Sequence, residues 1–242
     1  MAEKQYGMLV RTNRCVGCQT CIVGCHLLHE CPTDVYLGYL ETVGQEENYL
    51  VTGTYPKVSV TFRPHLCNHC ENPACVANCP TGAMHKREED GIVESDHSVC
   101  IGCGTCAQSC PYGAPVVADD LGYAMKCDFC RPRVERGEEP LCVCSCPAEA
   151  RVFGEISDPN SEISKLIAEL SAEPLLPEEG TEPSVRYCSN NNIHSRRAPS
   201  RLPPSGRRSH WRRGDSGSET DAIHRCRAIS CGVLHGGALV AG

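Results

Sequence analysis

The segment CIGCGTCAQSCP, residues Cys100–Pro111, decides the fold. Its spacing is C-x2-C-x2-C-x3-C-P. Three cysteines follow one another at intervals that suit a tight loop. The fourth comes one helical turn later, where a proline ends the turn. One such segment could arise by chance, so its meaning depends on whether the pattern recurs.

The pattern recurs three more times, and the four groups together hold sixteen of the 21 cysteines. Groups one and three share the spacing above, whereas group two has four residues and group four has eleven between the second and third cysteines. A proline follows groups two, three and four. Group one is Cys15, Cys18, Cys21 and Cys25; group two is Cys67, Cys70, Cys75 and Cys79; group three is Cys100, Cys103, Cys106 and Cys110; group four is Cys127, Cys130, Cys142 and Cys146.

These spacings predict [4Fe–4S] clusters. A cuboidal cluster takes four thiolates at the corners of a tetrahedron, and a loop with x2 spacing can supply three of them. The fourth thiolate comes from elsewhere, because continuing the same loop would strain it. In the bacterial two-cluster pattern the last cysteine of each motif binds the other cluster.

Zinc and disulfides explain the cysteines less well. Two C-x2-C pairs, Cys67/Cys70 and Cys127/Cys130, would suit a four-cysteine zinc site. Zinc does not account for the third cysteine at x2 or for the fourth at x3 before proline. An odd number of cysteines in 242 residues is also unlike a small disulfide-rich secreted domain. The groups are complete without Cys31, Cys144 and the nearby histidines, which we interpret as non-ligands: His65, His69, His85 and His97.

Composition limits the remaining classes of protein. Aromatic residues make up 5% of the chain, so much of the interior must be held together by something else. The formal charge of −7 argues against nucleic acid as a partner. The sequence contains no run of about 18 apolar residues, so it predicts no membrane span. The first residues contain no apolar segment of the kind found in export signals.

Short strands and turns are expected between the cysteine groups. Tyr6–Val10 and Val58–Phe62 are rich in β-forming residues, and Gly91–Val93 is expected to be one arm of a hairpin. Each C-x3-C pair predicts one helical turn. The pattern of Asp158–Leu170 predicts a longer helix with Asp158 as N-cap and one apolar face.

Three segments resemble a known family. They are CNHCENPACVANCPTGAMHKREEDG, CIGCGTCAQSCPYGAP and KCDFCRPRVERGEEPLCVCSCP. They resemble the iron–sulfur (beta) subunits of anaerobic dimethyl sulfoxide reductases, within the four-cluster electron-transfer subunits of molybdopterin oxidoreductases. The resemblance runs from about residue 6 to about residue 183.

The resemblance implies an α+β fold of two ferredoxin-like dicluster modules, the second inserted in the first. Groups one and four would pair in residues 1–31 and 117–156, and groups two and three in 57–116. Residues 32–56 would be an inserted partner-contact segment and 157–180 a C-terminal helix segment. The family crossover implies four ligand sets: site 1, Cys15, Cys18, Cys21 and Cys146; site 2, Cys25, Cys127, Cys130 and Cys142; site 3, Cys67, Cys70, Cys75 and Cys110; site 4, Cys79, Cys100, Cys103 and Cys106.

The implied function is electron transfer, with no catalytic residue in this chain. Electrons would pass singly through four [4Fe–4S] clusters from a quinol-oxidising membrane anchor subunit to a molybdopterin catalytic subunit, most nearly a dimethyl sulfoxide or N-oxide reductase of anaerobic respiration. The alternatives are the same subunit of a tetrathionate, polysulfide, arsenate, nitrate or formate oxidoreductase, and a free polyferredoxin-type carrier. The complex would lie at the cytoplasmic membrane, on a side that the sequence leaves open.

Residues 181–242 differ in character from the rest. They carry a net charge of +6, whereas residues 1–180 carry −13, and they contain ten arginines and no lysine. A basic arm, a disordered extension and a shifted reading frame are the three interpretations, and we favour the last because periodicity ends abruptly. A protein ending near Gly180 is then expected to keep all four clusters. Three cysteines outside the groups fall here: Cys188, Cys226 and Cys231.

Overall fold

The computed structural model describes residues 4–43, 52–118 and 120–188, where short strands and helices alternate in an α+β architecture. The strands are β1 (Tyr6–Arg11), β2 (Gly38–Val43), β3 (Thr52–Thr54), β4 (Lys57–Ser59), β5 (Thr61–Leu66), β6 (Met84–Lys86), β7 (Val93–Ser95), β8 (Val116–Ala118), β9 (Tyr123–Met125), β10 (Arg151–Glu155) and β11 (Val185–Cys188). The helices are α1 (Thr20–Leu28), α2 (Ala74–Ala77), α3 (Thr105–Ser109), α4 (Arg131–Val134), α5 (Leu141–Cys144) and α6 (Glu162–Glu169). In these ranges no helix has the length and apolar character needed to cross a bilayer. Part of the expected inserted segment, residues 44–51, and the tail beyond Cys188 lie outside the described residues.

A three-stranded sheet joins the first and last parts of the described chain. Its order is β10-β1-β11, with β10 antiparallel and β11 parallel to the central β1. The central strand is buried, and Met8, Leu9 and Val10 have no exposed surface. Because β1 precedes group one and β10 follows group four, the sheet brings these two cysteine groups to the same place.

Two-stranded antiparallel ribbons connect one cysteine group to the next. β2 pairs with β5 and β3 with β4 between groups one and two, β6 pairs with β7 between groups two and three, and β8 pairs with β9 between groups three and four. The expected hairpin arm at Gly91–Val93 is confirmed, although the strand itself begins at Val93. Ribbons this short cannot be stable alone in water, so the cysteine loops beside them must contribute to the fold.

The predicted strand Val58–Phe62 is divided in the structure. β4 ends at Ser59 and β5 begins at Thr61. The division occurs because the two halves have different partners: β4 turns back on β3, whereas β5 continues along β2. A change of partner leaves no mark on β-propensity, which depends on local residue type.

The helical turns predicted at the C-x3-C pairs are confirmed, since α1, α2, α3 and α5 lie there. The longer helix begins later than predicted. Asp158 closes a turn by accepting the Asn160 N–H at 2.8 Å, and α6 starts after Ser161, whose Oγ accepts the Ser164 N–H at 3.2 Å. Its predicted apolar face is confirmed, because Ile163 packs into a buried cluster with Leu9, Cys188 and the other residues of that face: Leu166, Ile167 and Leu170.

The body of the fold includes strand β11, which ends at Cys188, seven residues beyond the expected start of the tail at 181. Ser184 lies between the sheet and the group-two loop, where its N–H donates to the Asn68 carbonyl and its Oγ donates to the His69 carbonyl, both at 2.8 Å. Cys188, the last residue that the structure describes, is 1% exposed. Val185 and Tyr187 alternate along β11 and are both buried, so this strand has an apolar face. The strand was not predicted from the sequence, because the residues that follow it are basic.

The largest core cluster mixes apolar side chains with cysteines. It includes Phe129, which is 1% exposed and makes an edge contact with Phe153 at 5.2 Å between ring centroids. Two cysteines of the predicted sites, Cys67 and Cys127, belong to the same cluster. Phe129 therefore lies in the core beside cysteine loops, where its ring covers a large apolar area.

Candidate metal centres

Site 1 combines the first cysteine loop with the last cysteine of group four. α1 packs against α5, and the thiol of Cys15 consequently interacts electrostatically with those of Cys21 and Cys146. Burial raises the pKa of Cys15. Cys18 lies at the surface, where the Thr20 hydroxyl donates to its Sγ at 3.4 Å and lowers its pKa. The site therefore has a buried side and an exposed edge.

Site 2 combines one cysteine of α1 with three from group four. The buried thiol of Cys127 interacts with those of Cys25 and Cys142, and Cys25 also interacts with Cys130. Burial raises the pKa of Cys127 well above its usual range and that of Cys130 to about 12. This site lies inside the molecule.

Site 3 is a cavity lined by Cys67, Cys70, Cys75 and Cys110. The thiols of Cys70 and Cys75 both interact with the other two, and burial raises the pKa of each to about 12. Thr181, from the segment after α6, also lines the cavity. Four thiols that face one enclosed space are the arrangement that a cuboidal cluster requires.

Site 4 lies at the surface near α3. The thiol of Cys103 interacts with that of Cys79, and the thiol of Cys106 interacts with those of Cys100 and Cys103. Cys103 is exposed, and hydrogen bonds from the side chain and backbone of Thr105 lower its pKa. Fifteen of the sixteen predicted cysteines thus interact with another cysteine of their expected set, and Cys18 lies three residues after Cys15 in the chain.

The surroundings of the sulfurs fit thiolate-bound clusters. Backbone N–H groups donate to the Sγ atoms of Cys79, Cys100 and Cys146 at 3.3, 3.4 and 3.3 Å, and such bonds stabilise negative charge on sulfur. In the group-two loop the buried atoms Asn68 Oδ1 and His69 Nε2 have no hydrogen-bond partner within the described ranges. Buried thiols with raised pKa values keep their protons unless a metal displaces them.

Two buried cations lie beside these sulfurs, and neither was predicted from the sequence. Arg151 donates from Nη2 to Cys21 Sγ at 3.6 Å and from Nη1 to Cys142 Sγ at 3.7 Å. Lys126 donates to the backbone carbonyls of Val93 and Cys127. The only sequence signal is position, because Lys126 directly precedes group four and Arg151 begins the strand that follows it.

A stacked pair of rings joins the loops of groups two and four. His69 and Phe129 occupy the same position in their C-x2-C loops, both have positive φ angles (42° and 55°), and their ring centroids are 3.7 Å apart. The Val93 N–H donates to His69 Nδ1, so Nε2 carries the proton of the neutral ring. Burial lowers the pKa of His69, which supports the interpretation that this histidine has a structural role.

The cysteines and histidines outside the sites have other surroundings. Cys31 is buried in an apolar cluster, and Cys144 is exposed with its Sγ 3.8 Å from Arg133 Nη2. His65 Nε2 lies 2.6 Å from a Glu41 carboxylate oxygen. His29 was not predicted to lie near a cluster, and its Nε2 is 3.5 Å from Cys130 Sγ, at the edge of site 2.

Comparison with known proteins gives one family model and many relatives. The model of a 4Fe–4S dicluster domain matches residues 58–156. The protein is 40% identical to each of three B subunits or B chains of reductases. That of the anaerobic dimethyl sulfoxide reductase of Escherichia coli matches over 78% of this chain and 90% of its own. The subunit of the tetrathionate reductase of Salmonella typhimurium matches over 76% of this chain and 72% of its own. The chain of the polysulfide reductase of Wolinella succinogenes matches over 77% of this chain and 95% of its own.

The similarity to these relatives extends over most of the chain, well beyond the three cysteine segments that first suggested the family. The matched dicluster model begins just before β5 and ends after β10, so it spans groups two, three and four. With this extent of similarity and the cysteine geometry described above, the protein belongs to the family of iron–sulfur B subunits of dimethyl sulfoxide reductases and related reductases.

Proposed function

We propose that the chain passes single electrons through four [4Fe–4S] clusters, from a membrane anchor subunit that oxidises quinol to a molybdopterin catalytic subunit. The observation that carries this proposal is the interaction of fifteen of the sixteen predicted cysteines with other members of their expected sets. The relatives are named as B subunits or B chains of reductases, which favours an electron-transfer subunit over a catalytic subunit or a free carrier.

The proposed ligands are the four sets defined above as sites 1 to 4. Each cluster, when bound, supplies a centre that accepts and releases one electron. The residues of this chain hold the clusters by thiolate ligation, donate hydrogen bonds to the sulfurs and exclude water. The cysteines of sites 2 and 3 are buried or half-buried, whereas sites 1 and 4 each include an exposed cysteine, Cys18 and Cys103.

We propose two dicluster modules with the boundaries that the resemblance implies. The pairing of β1 with β10 and the packing of α1 on α5 support the union of residues 1–31 with 117–156. The packing of α2 on α3 supports residues 57–116 as the second module. The inserted segment 32–56 is proposed as a partner contact, and the exposed side chain of Tyr55 supports this role.

The sites succeed one another in the order 1, 2, 3, 4. Arg151 touches sulfurs of sites 1 and 2, the Cys127 thiol of site 2 interacts with Cys67 of site 3, and one apolar cluster contains both Cys75 of site 3 and Cys106 of site 4. We propose that electrons enter and leave at the two ends of this series, where the subunit partners would dock. Exposed apolar side chains flank both ends: Val16 beside site 1, and Val99 and Ile101 beside site 4.

We propose dimethyl sulfoxide or an N-oxide as the terminal acceptor of the complex in anaerobic respiration, at the cytoplasmic membrane. The alternative is the equivalent subunit of another molybdopterin oxidoreductase. Identity to the tetrathionate and polysulfide relatives equals that to the dimethyl sulfoxide relative, so sequence similarity supports both candidates to the same degree. The co-purifying catalytic subunit distinguishes the two, because it carries the substrate pocket.

The test is purification of the native complex under anaerobic conditions. We expect a large molybdopterin subunit to co-purify, and the isolated chain to contain about sixteen iron and sixteen sulfide atoms, four of each per cluster. Zinc in place of iron would contradict the cluster assignment. A chain that purifies alone and remains redox-active would contradict the subunit assignment and favour the free carrier.

A further inference from the structure

Arg151 lies between two of the proposed clusters. It is the first residue of β10, pairs in register with Val10 of the central strand, and is 3% exposed. Its two terminal nitrogens donate to different sites, Nη2 to Cys21 Sγ of site 1 at 3.6 Å and Nη1 to Cys142 Sγ of site 2 at 3.7 Å. One guanidinium group therefore contacts sulfurs that belong to two clusters.

The charge of this arginine has no carboxylate partner among residues 4–43, 52–118 and 120–188, since no ion pair there includes Arg151. Its neighbours also include the thioether of Met8, at 3.6 Å, and the phenol of Tyr187. A buried cation without a counter-charge is costly. With clusters bound at sites 1 and 2, their thiolates would provide that counter-charge. The buried position of Arg151 therefore fits the protein with its clusters bound.

We propose that Arg151 is a positioning residue that raises the reduction potentials of the clusters at sites 1 and 2 together. This inference rests on the proposed ligand sets. One-electron reduction adds one negative charge to a cluster, and a fixed positive charge nearby favours that reduced form. No proton moves in this step, because the guanidinium stays protonated in both states.

Lys126 differs from Arg151 in what it binds. Its ammonium group donates to the carbonyl oxygens of Val93 and Cys127, whereas Arg151 donates to the sulfurs themselves. The guanidinium also has two terminal nitrogens in a fixed plane, so one residue can contact two sites at once. Among the described residues, the hydrogen bonds to sulfurs of sites 3 and 4 come from backbone N–H groups and threonine hydroxyls rather than from arginine, so these sites serve as an internal reference.

The experiment is a redox titration of the native complex followed by electron paramagnetic resonance, with the variants Arg151→Gln, Arg151→Met and Arg151→Lys. For the two neutral variants we expect the reduced-to-oxidised ratio of the clusters at sites 1 and 2 to fall about tenfold at a fixed potential, which is about 59 mV for a one-electron couple. The clusters at sites 3 and 4 should keep their potentials. Arg151→Lys should restore most of the shift.

Arg186→Met is the matched control. Arg186 lies on β11 of the same sheet, is partly buried, and donates to the Pro183 carbonyl rather than to sulfur. We expect no change in any cluster potential from this variant. A uniform shift of all clusters in Arg151→Met would indicate general damage to the fold and would contradict the proposal.

Other outcomes also decide the question. Unshifted potentials at sites 1 and 2 in either neutral variant overturn the role of Arg151, while the proposed clusters stand. Both neutral variants could lose the clusters at sites 1 and 2. In that case, clusters retained in Arg151→Lys would support a requirement for positive charge. Clusters lost in Arg151→Lys as well would overturn the proposal. A wild-type chain without four cluster signals would overturn the proposed function itself.

Discussion

At the scale of single residues, a substitution of the exposed cysteine of site 4 can distinguish electron transfer from catalysis. Cys103 lies at the surface, its Sγ is 3.4 Å from the Thr105 hydroxyl, and it belongs to the last site in the series. Cys144 is equally free and exposed but lies outside every predicted ligand set. The two residues form a matched pair for mutation.

We expect Cys103→Ser to remove or convert one cluster and to lower quinol-dependent turnover of the complex at least tenfold. A serine hydroxyl is a poor substitute for a thiolate ligand of iron. Turnover with an artificial electron donor that reaches the catalytic subunit directly should be unchanged. Cys144→Ser should alter neither iron content nor turnover. Full quinol-dependent activity of Cys103→Ser would contradict the proposed electron path.

At the scale of elements, the segment that ends in β11 links the sheet to site 3. Thr181 lines the site 3 cavity and its hydroxyl lies 2.6 Å from that of Tyr112. The carbonyl of Thr181 accepts the Asn72 N–H at 3.0 Å, and β11 adds a parallel strand to β1. The segment therefore packs against the group-two loop and helps to fix its position. This contact was not predicted from the composition of the segment.

We predict that a protein ending at Gly180 loses iron from site 3 and melts at a lower temperature than the full chain, because it lacks β11 and the Thr181 wall. This differs from the expectation drawn from the sequence that such a protein keeps all four clusters. A protein ending at Cys188 is the control and should retain the full iron content. Equal iron and sulfide contents in the two truncated proteins would show that β11 is dispensable.

At the scale of the whole molecule, cysteines take the place of part of the hydrophobic core. Four core clusters are seen in the described part of the chain, and each contains at least one cysteine side chain. The strands beyond the three-stranded sheet form pairs, each too small to be stable alone. Bound clusters would then crosslink the loops between the ribbons, as structural metals do in other small domains.

We therefore expect removal of iron by an oxidant and a chelator to unfold the body of the protein. Far-ultraviolet circular dichroism should show loss of the strand and helix signal, and limited proteolysis should cut within the cysteine loops. Restoring iron and sulfide under reducing conditions should recover the spectrum. An iron-free protein with an unchanged spectrum and unchanged resistance to protease would contradict this dependence.

Several features followed from local pattern and could be predicted. The strand β1, the helical turns at the C-x3-C pairs and the apolar face of α6 depend on residues near one another in the chain. The division of Val58–Phe62 and the late start of α6 could not be predicted in the same way. In these segments a distant partner strand and a competing turn decide the boundary.

The sequence by itself determined the four cysteine groups, because the spacing within a group depends on residues that lie close together in the chain. The tertiary structure decided which neighbours those cysteines have. It placed Arg151 between sites 1 and 2, stacked His69 on Phe129 between the loops of groups two and four, and brought β11 into the body. Such contacts join residues far apart in the chain, and their energy comes from burial and charge compensation, which local spacing does not encode.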